Sequence, residues 1–203
     1  MRKMFVLGLA VAAGMTFAAS SAMAIDIPVT PLKLIIVDKL VASSSAKAVF
    51  VVKDNLVAKG PGTDPATISS ELDVRYDAEA GAFVNPAGPR WLVNKDTVAK
   101  YVNKTAPTGG STKVSVIKPG KLIKNVGKSL GDVPIDIALA PVGDVHTVYT
   151  VVNGATTVRH CSKFTGSTCA HKSIAGGTGW KLVCKGNGSP DTCPASPSGA
   201  FVD

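Results

Sequence analysis

Between residues 68 and 77, Ile68, Leu72, Val74 and Tyr76 interleave with Ser69, Glu71, Asp73, Arg75 and Asp77. A period of two sends successive side chains to opposite faces of an extended chain, so this segment predicts a strand with one face in a core. Short β-branched runs of strand length recur at residues 34–37, 48–52, 114–118, 122–126, 135–139, 146–152, 156–164 and 180–184. Pro119-Gly120 suits the centre of a type II turn, because proline presets the first central φ and glycine accepts the positive second one. Asn153-Gly154 suits a type I′ hairpin. Both predict antiparallel neighbours. One stretch reads as a short helix, residues 96–103, with Asp96 capping a turn or two that carries Val98, Tyr101 and Val102. The glycine-rich residues 175–179 lack a Lys-Ser/Thr ending and precede no helix. They read as a hairpin connection rather than a phosphate loop. Many strands without long helices predict an all-β fold: a single antiparallel β-sandwich, jelly-roll or barrel-like domain with short loops and at most one short helix.

The amino terminus follows a different pattern. Arg2 and Lys3 precede an apolar stretch from Met4 to Ala18 and the small-residue segment Ala22-Met23-Ala24, which is the layout of a secretory signal peptide. Cleavage is expected after Ala24, leaving residues 25–203 as one secreted or periplasmic β domain. No later apolar run reaches the roughly 18 to 20 residues that span a bilayer as a helix, so no integral membrane segment is expected after cleavage. The strands are also short for an outer-membrane barrel and lack its aromatic girdles.

Composition adds one feature, an uneven spread of charge within a formal net of +8. Residues 64–79 hold five acids and Arg75, whereas residues 90–128 hold nine basic residues against Asp96 alone. The densest part of this stripe is Lys113, Lys118, Lys121, Lys124 and Lys128. Such a stripe is a candidate site for anionic partners, an envelope component or an acidic glycan. The plainer reading is that exposed lysines discourage edge-to-edge pairing and keep an exported protein soluble. The stripe has few aromatic residues on which bases would stack, so no specific nucleic acid is expected.

Cys161, Cys169, Cys184 and Cys193 are an even number in an exported chain, so two disulfides are expected. Zinc ribbons favour cysteines two residues apart; the spacings here leave seven, fourteen and eight residues between them, and no metal is expected. Facing residues on two antiparallel segments have positions with a constant sum. The pairs Cys161 with Cys193 and Cys169 with Cys184 meet that condition to within one residue, which a bulge absorbs. Nested bridges are therefore preferred, while two local bridges stay open.

Bond-breaking with a Ser or Cys nucleophile needs a base within reach, and only His146, His160 and His171 are available. Asp144 lies two residues before His146, and Ser162 two after His160. No G-x-S-x-G elbow or H-E-x-x-H pattern accompanies them. Asn103-Lys104-Thr105 matches a glycosylation acceptor pattern.

Lys33-Leu34-Ile35-Ile36-Val37-Asp38-Lys39, Lys47-Ala48-Val49-Phe50-Val51-Val52-Lys53-Asp54, Lys121-Leu122 and Arg159-His160-Cys161 with a late Cys193 together resemble uncharacterised exported β-rich proteins of Gram-negative bacteria. The resemblance implies the compartment and a bridge between Cys161 and Cys193, and carries no activity, cofactor or catalytic residue. The expected function is that of a secreted, disulfide-stapled binding or structural surface module with polyanionic ligands as candidate partners. The alternative is a hydrolase using His146 or His160.

Overall fold

The computed structural model describes residues 24–39, 46–95, 97–105, 112–130, 133–174, 177–186, 188–190 and 192–193. The signal-peptide reading falls mainly on residues 1–23, outside these. The fold is all-β: two sheets packed face to face, without closure into a barrel. No described helix is long and apolar enough to cross a membrane.

The smaller sheet contains β1 (Ala24–Pro28), β4 (Ile68–Tyr76), β5 (Glu79–Asn85), β10 (Val145–Asn153) and β11 (Thr156–Phe164), in the order β1-β11-β10-β4-β5. The larger sheet contains β2 (Pro31–Lys39), β3 (Ala46–Val52), β6 (Trp91–Asn94), β7 (Val98–Val102), β8 (Val114–Lys118), β9 (Leu122–Leu130), β12 (Cys169–Ser173) and β13 (Gly179–Lys185). Their order is β12-β13-β2-β3-β9-β8-β7-β6. Among the described strands, only the edge strand β1 pairs in parallel, with β11.

Alternation sorts residues between core and surface. Leu34 and Ile36 of β2, Phe50 and Val52 of β3, Ile123 of β9 and Leu182 of β13 face inward from the larger sheet. They meet Leu72 and Val74 of β4, Phe83 of β5 and Tyr149 and Val151 of β10. Burying each such side chain is worth roughly 1.5 to 3 kcal/mol.

Within this apolar layer lies a polar connection between the sheets. The Tyr149 hydroxyl bonds to Ser70 Oγ at 2.7 Å and to Ser115 Oγ of the larger sheet. Asn85 Nδ2 donates to Ser70 Oγ at 2.9 Å and to Asn125 Oδ1, across the sandwich, at 3.3 Å. The Tyr149 ring also stacks on Phe50, with centroids 6.4 Å apart. Burial pushes the phenol up to about 12, so it stays protonated and both donates and accepts.

Several expectations are corrected. Residues 97–103 do not form a helix, and Asp96, the expected cap, lies outside the described residues: Val98–Val102 is strand β7, with Ala99 and Tyr101 buried inward. The approach is a tight turn in which Thr97 N–H donates to Asn94 O at 3.1 Å, so the local helical spacing yields to period-two burial. Residues 135–139 are not a strand. Ile135 and Ile137 insert into the core from an irregular segment, whose Asp136 carbonyl accepts from Tyr76 Oη at 2.5 Å. The β10–β11 hairpin closes one residue later than a turn centred on Asn153-Gly154. Asn153 pairs with Thr156, and Gly154, at φ 63°, leads the two-residue loop. Pro119-Gly120 forms its turn with Gly120 at φ 65° and Lys121 N–H donating to Lys118 O at 3.0 Å.

The disulfides join Cys161 to Cys193, with Cα atoms 5.3 Å apart, and Cys169 to Cys184, 4.0 Å apart. They are nested in sequence but do not share one ladder. Cys169 faces Cys184 across β12 and β13, whereas Cys161 lies on β11 of the other sheet. After β13 the chain crosses back to the smaller sheet, where Gly188 bridges to Lys163.

Tyr149→Phe is expected to cost about 1 to 3 kcal/mol, because Ser70 and Ser115 lose a buried partner; denaturant unfolding measures it. Removal of the outer bridge (Cys161→Ala with Cys193→Ala) is expected to destabilise more than removal of the inner one. The closed loops span separations of 32 and 15 residues, which loop entropy values at about 3 to 4 kcal/mol. Equal losses would count against a loop-entropy origin.

Candidate anion-binding face

On the outer face of the larger sheet, cross-strand pairing arranges outward residues into three adjacent rows. The central row is apolar: Ala170, Val183, Ile35, Val49, Val126, Val114 and Val102 follow one another across β12, β13, β2, β3, β9, β8 and β7. Seven strands about 4.8 Å apart make this row about 29 Å long. About 7 Å to one side, two residues along each strand, stand Lys172, Lys181, Val37, Lys47 and Lys128. On the other side stand Lys185, Lys33, Val51, Lys124, Val116, Lys100 and Leu92.

None of the outward-facing strand positions of this sheet, among the described residues, holds an acid or an aromatic ring. Three lysine pairs stand directly opposite each other across neighbouring strands: Lys172 with Lys181, Lys33 with Lys185, and Lys47 with Lys128. Directly opposed like charges weaken a sheet. Where these rows converge, a groove of about 490 Å³ is lined by Leu32, Val49, Val51, Leu122 and Val126 and by Lys33, Lys53, Lys124 and Lys128. Val51 is only 6% exposed on this outer face, as expected where lysine stems lie along an apolar floor with their ammonium groups in water.

Of the sequence-predicted stripe, Lys118, Lys124 and Lys128 point out from this face. Lys121 is exposed at the β8–β9 turn, and Lys113 is half-buried just before β8 in the alternation that carries Ser115 inward. The sheet adds lysines remote in sequence, on β2, β3, β12 and β13. Their signal is a recurring alternation, Lys33-x-Ile35-x-Val37-x-Lys39, Lys47-x-Val49-x-Val51-x-Lys53, Lys124-x-Val126-x-Lys128 and Lys181-x-Val183-x-Lys185, which charge counting along a window passes over.

The histidines lead elsewhere. His160 is fully buried, with Nε2 accepting from Ala58 N–H at 2.9 Å and Nδ1 donating to Tyr149 O at 3.2 Å. Ser162 Oγ is bonded to Thr147 Oγ1 at 2.5 Å. Both ring nitrogens of His160 are committed to the backbone, so it pins the segment after β3 and has no free base position. Asn153 pins the same segment through Nδ2 donation to Lys59 O at 3.1 Å and Gly62 O at 2.8 Å. His146 borders a pocket of about 290 Å³ with Arg75, Tyr76, Asp77, Gly143 and Asp144. Burial lowers its pKa against the pull of Asp144, helped by Lys163 and Arg75. Asp144 is itself paired with Lys163 at 3.4 Å, and no Ser, Thr or Cys lines that pocket. His171 stacks on Trp180 and bonds Ile137 O at 2.8 Å. Among the described residues no group of His, Cys, Asp and Glu side chains could hold a metal ion. Asn103 of the glycosylation pattern is 4% exposed and accepts from Thr105 Oγ1 at 2.7 Å.

Comparison with protein-family models, curated proteins and solved structures finds no match. What the face can do is therefore read from its charge and shape.

Burial lowers His160 to about 4, below an unfolded value near 6.5. Above pH 6.5 its ring is neutral in both states and contributes no pH dependence. As pH falls from 6.5 toward 4 the unfolded chain takes up a proton that the folded chain refuses, so stability falls, by about 3 kcal/mol when complete. Denaturant midpoints of the wild type are expected to drop more steeply across this window than those of His160→Gln. Parallel pH profiles would contradict it.

Proposed function

We propose that this chain is an exported, disulfide-stapled binding module that holds polyanions, an acidic glycan or another anionic envelope component, on the outer face of its eight-stranded sheet. The single observation that carries the reading is the set of three directly opposed lysine pairs on a face whose described outward strand positions hold no acid. An anion laid across these rows would relieve repulsion that the free protein retains, so binding and charge relief act together.

Edge protection accounts for less of this pattern. Lysines guard sheets where backbone groups are unpaired, yet β2, β3 and β9 each have hydrogen-bonded neighbours on both sides. Their lysines therefore stand where no guard is required. The absence of outward aromatic residues supports a ligand read by charge rather than by base stacking. The two disulfides fit an oxidising, extracellular or periplasmic setting. Signal cleavage after Ala24 would leave the pairing of Asp26 with Arg159, 3.5 Å apart, in place.

Heparin retention tests the proposal. Reversing Lys33, Lys124 and Lys128 to Glu is expected to bring elution to lower salt and to reduce the slope of log affinity against log salt by about two to three. Neutralising Lys113, set off from the rows, is expected to change elution little. Unchanged elution of the triple variant, with an unchanged melting profile, would overturn the reading.

A further inference from the structure

The lysine rows account for attraction to anions, but not for the apolar row between them or for the exposed leucines beside it. A soluble, fully hydrated polyanion offers such residues nothing. Leu32, displaced onto the outer face at the β2 irregularity between Pro31 and Lys33, is 46% exposed, and Leu92, at the β6 end of the row that begins at Lys185, is 63% exposed. Leu56, 54% exposed, follows β3 beside the Pro119-Gly120 turn, where Gly120 N–H donates to Val57 O at 2.7 Å.

We infer that this face docks on an anionic lipid surface, with the lysines on phosphate headgroups and the leucines and the apolar row against the upper acyl region. The inference rests on the polyanion reading above and narrows its ligand. Charge complementarity selects the occupant: the face carries lysines on seven of its eight strands and, among the described residues, no outward acid to repel phosphate. Lysine stems can splay so that the ammonium groups stay at the headgroups while their methylenes and the neighbouring valines approach hydrocarbon. The extent favours a surface over one small ligand, since the apolar row runs about 29 Å across seven strands. The smaller sheet is less suited to this role among the described residues. Its outer face holds Glu71 and Asp73, both buried, and the Cys161 attachment of the chain end.

The experiment is sedimentation of the mature chain with phosphatidylcholine vesicles, with and without phosphatidylglycerol, at low and high salt, alongside heparin retention. The wild type is expected to bind only the anionic vesicles and to keep part of that binding when salt shortens the screening length to a few ångströms, about 3 Å at 1 M. Replacing Leu92, Val102 and Val114, which lie on this face but outside the lysine-lined groove, together by Thr keeps every charge and suits strands. This variant is expected to bind anionic vesicles on the order of ten-fold more weakly, to lose the salt-resistant fraction and to elute from heparin as the wild type does. Equal vesicle binding by wild type and Thr variant would overturn the apolar contribution and with it the inference. Heparin retention without vesicle binding would overturn the lipid surface and leave the polyanion reading standing. Loss of heparin retention by the wild type itself would overturn both.

Discussion

The phenol of Tyr149 sets the geometry on which the rest of the molecule depends. Its ring packs on Phe50 of the opposite sheet, its hydroxyl joins Ser70 and Ser115 across the sandwich, and its carbonyl holds the His160 ring. A buried hydroxyl without partners costs more than a made hydrogen bond gains, so the two sheets have a strong preference for the register in which these groups meet. Apolar packing alone tolerates sliding and repacking. The Tyr149 and Asn85 connections restrict that freedom by tying β10, β4 and β5 to β8 and β9.

Fixing the inner face also fixes the outer one, because a strand has only two faces. Once Phe50, Ile123 and Leu182 point into the core, Lys47, Lys124 and Lys181 must point to water. The same pleat that stabilises the core thus brings together lysines from four sequence regions. Their mutual repulsion is the local cost of that arrangement, and it is borne by a sheet whose central strands are paired on both sides.

The two outer surfaces of the sandwich differ. On the smaller sheet Glu71, Asp73, Thr150 and Cys161 are buried, Gly188 bridges to Lys163, Pro190 is buried and Cys193 is bonded to Cys161. The acidic segment read from the sequence is therefore partly withdrawn from solvent. Basic and acidic runs end up on opposite layers, which leaves the larger sheet's face with an unopposed positive field.

Much of the architecture was legible along the chain, because strand-length β-branched runs are a local property: β4, β8, β10 and β11 are found from their own residues, although β4, β10 and β11 are buried on both faces where alternation in β4 predicts one. The proline-glycine turn was readable for the same reason, whereas the cysteine pairs came out nested without the shared ladder from which nesting was inferred, since Cys161 lies on the other sheet. The misreadings share a cause. Residues 96–103 carry a helix-compatible spacing and residues 135–139 a strand-like one, yet both were decided by distant partners: Tyr101 and Ala99 by the core beneath β7, Ile135 and Ile137 by the gap they fill. Of the candidate face, the sequence showed the contiguous lysines Lys118, Lys124 and Lys128 but not their union with Lys33, Lys47, Lys172, Lys181 and Lys185. By itself the sequence determined which residues alternate, where the chain turns and that four cysteines pair. Only the tertiary structure decided strand order, the sheet to which Cys161 belongs and which lysines share a surface, because those depend on pairings between segments that no local periodicity records.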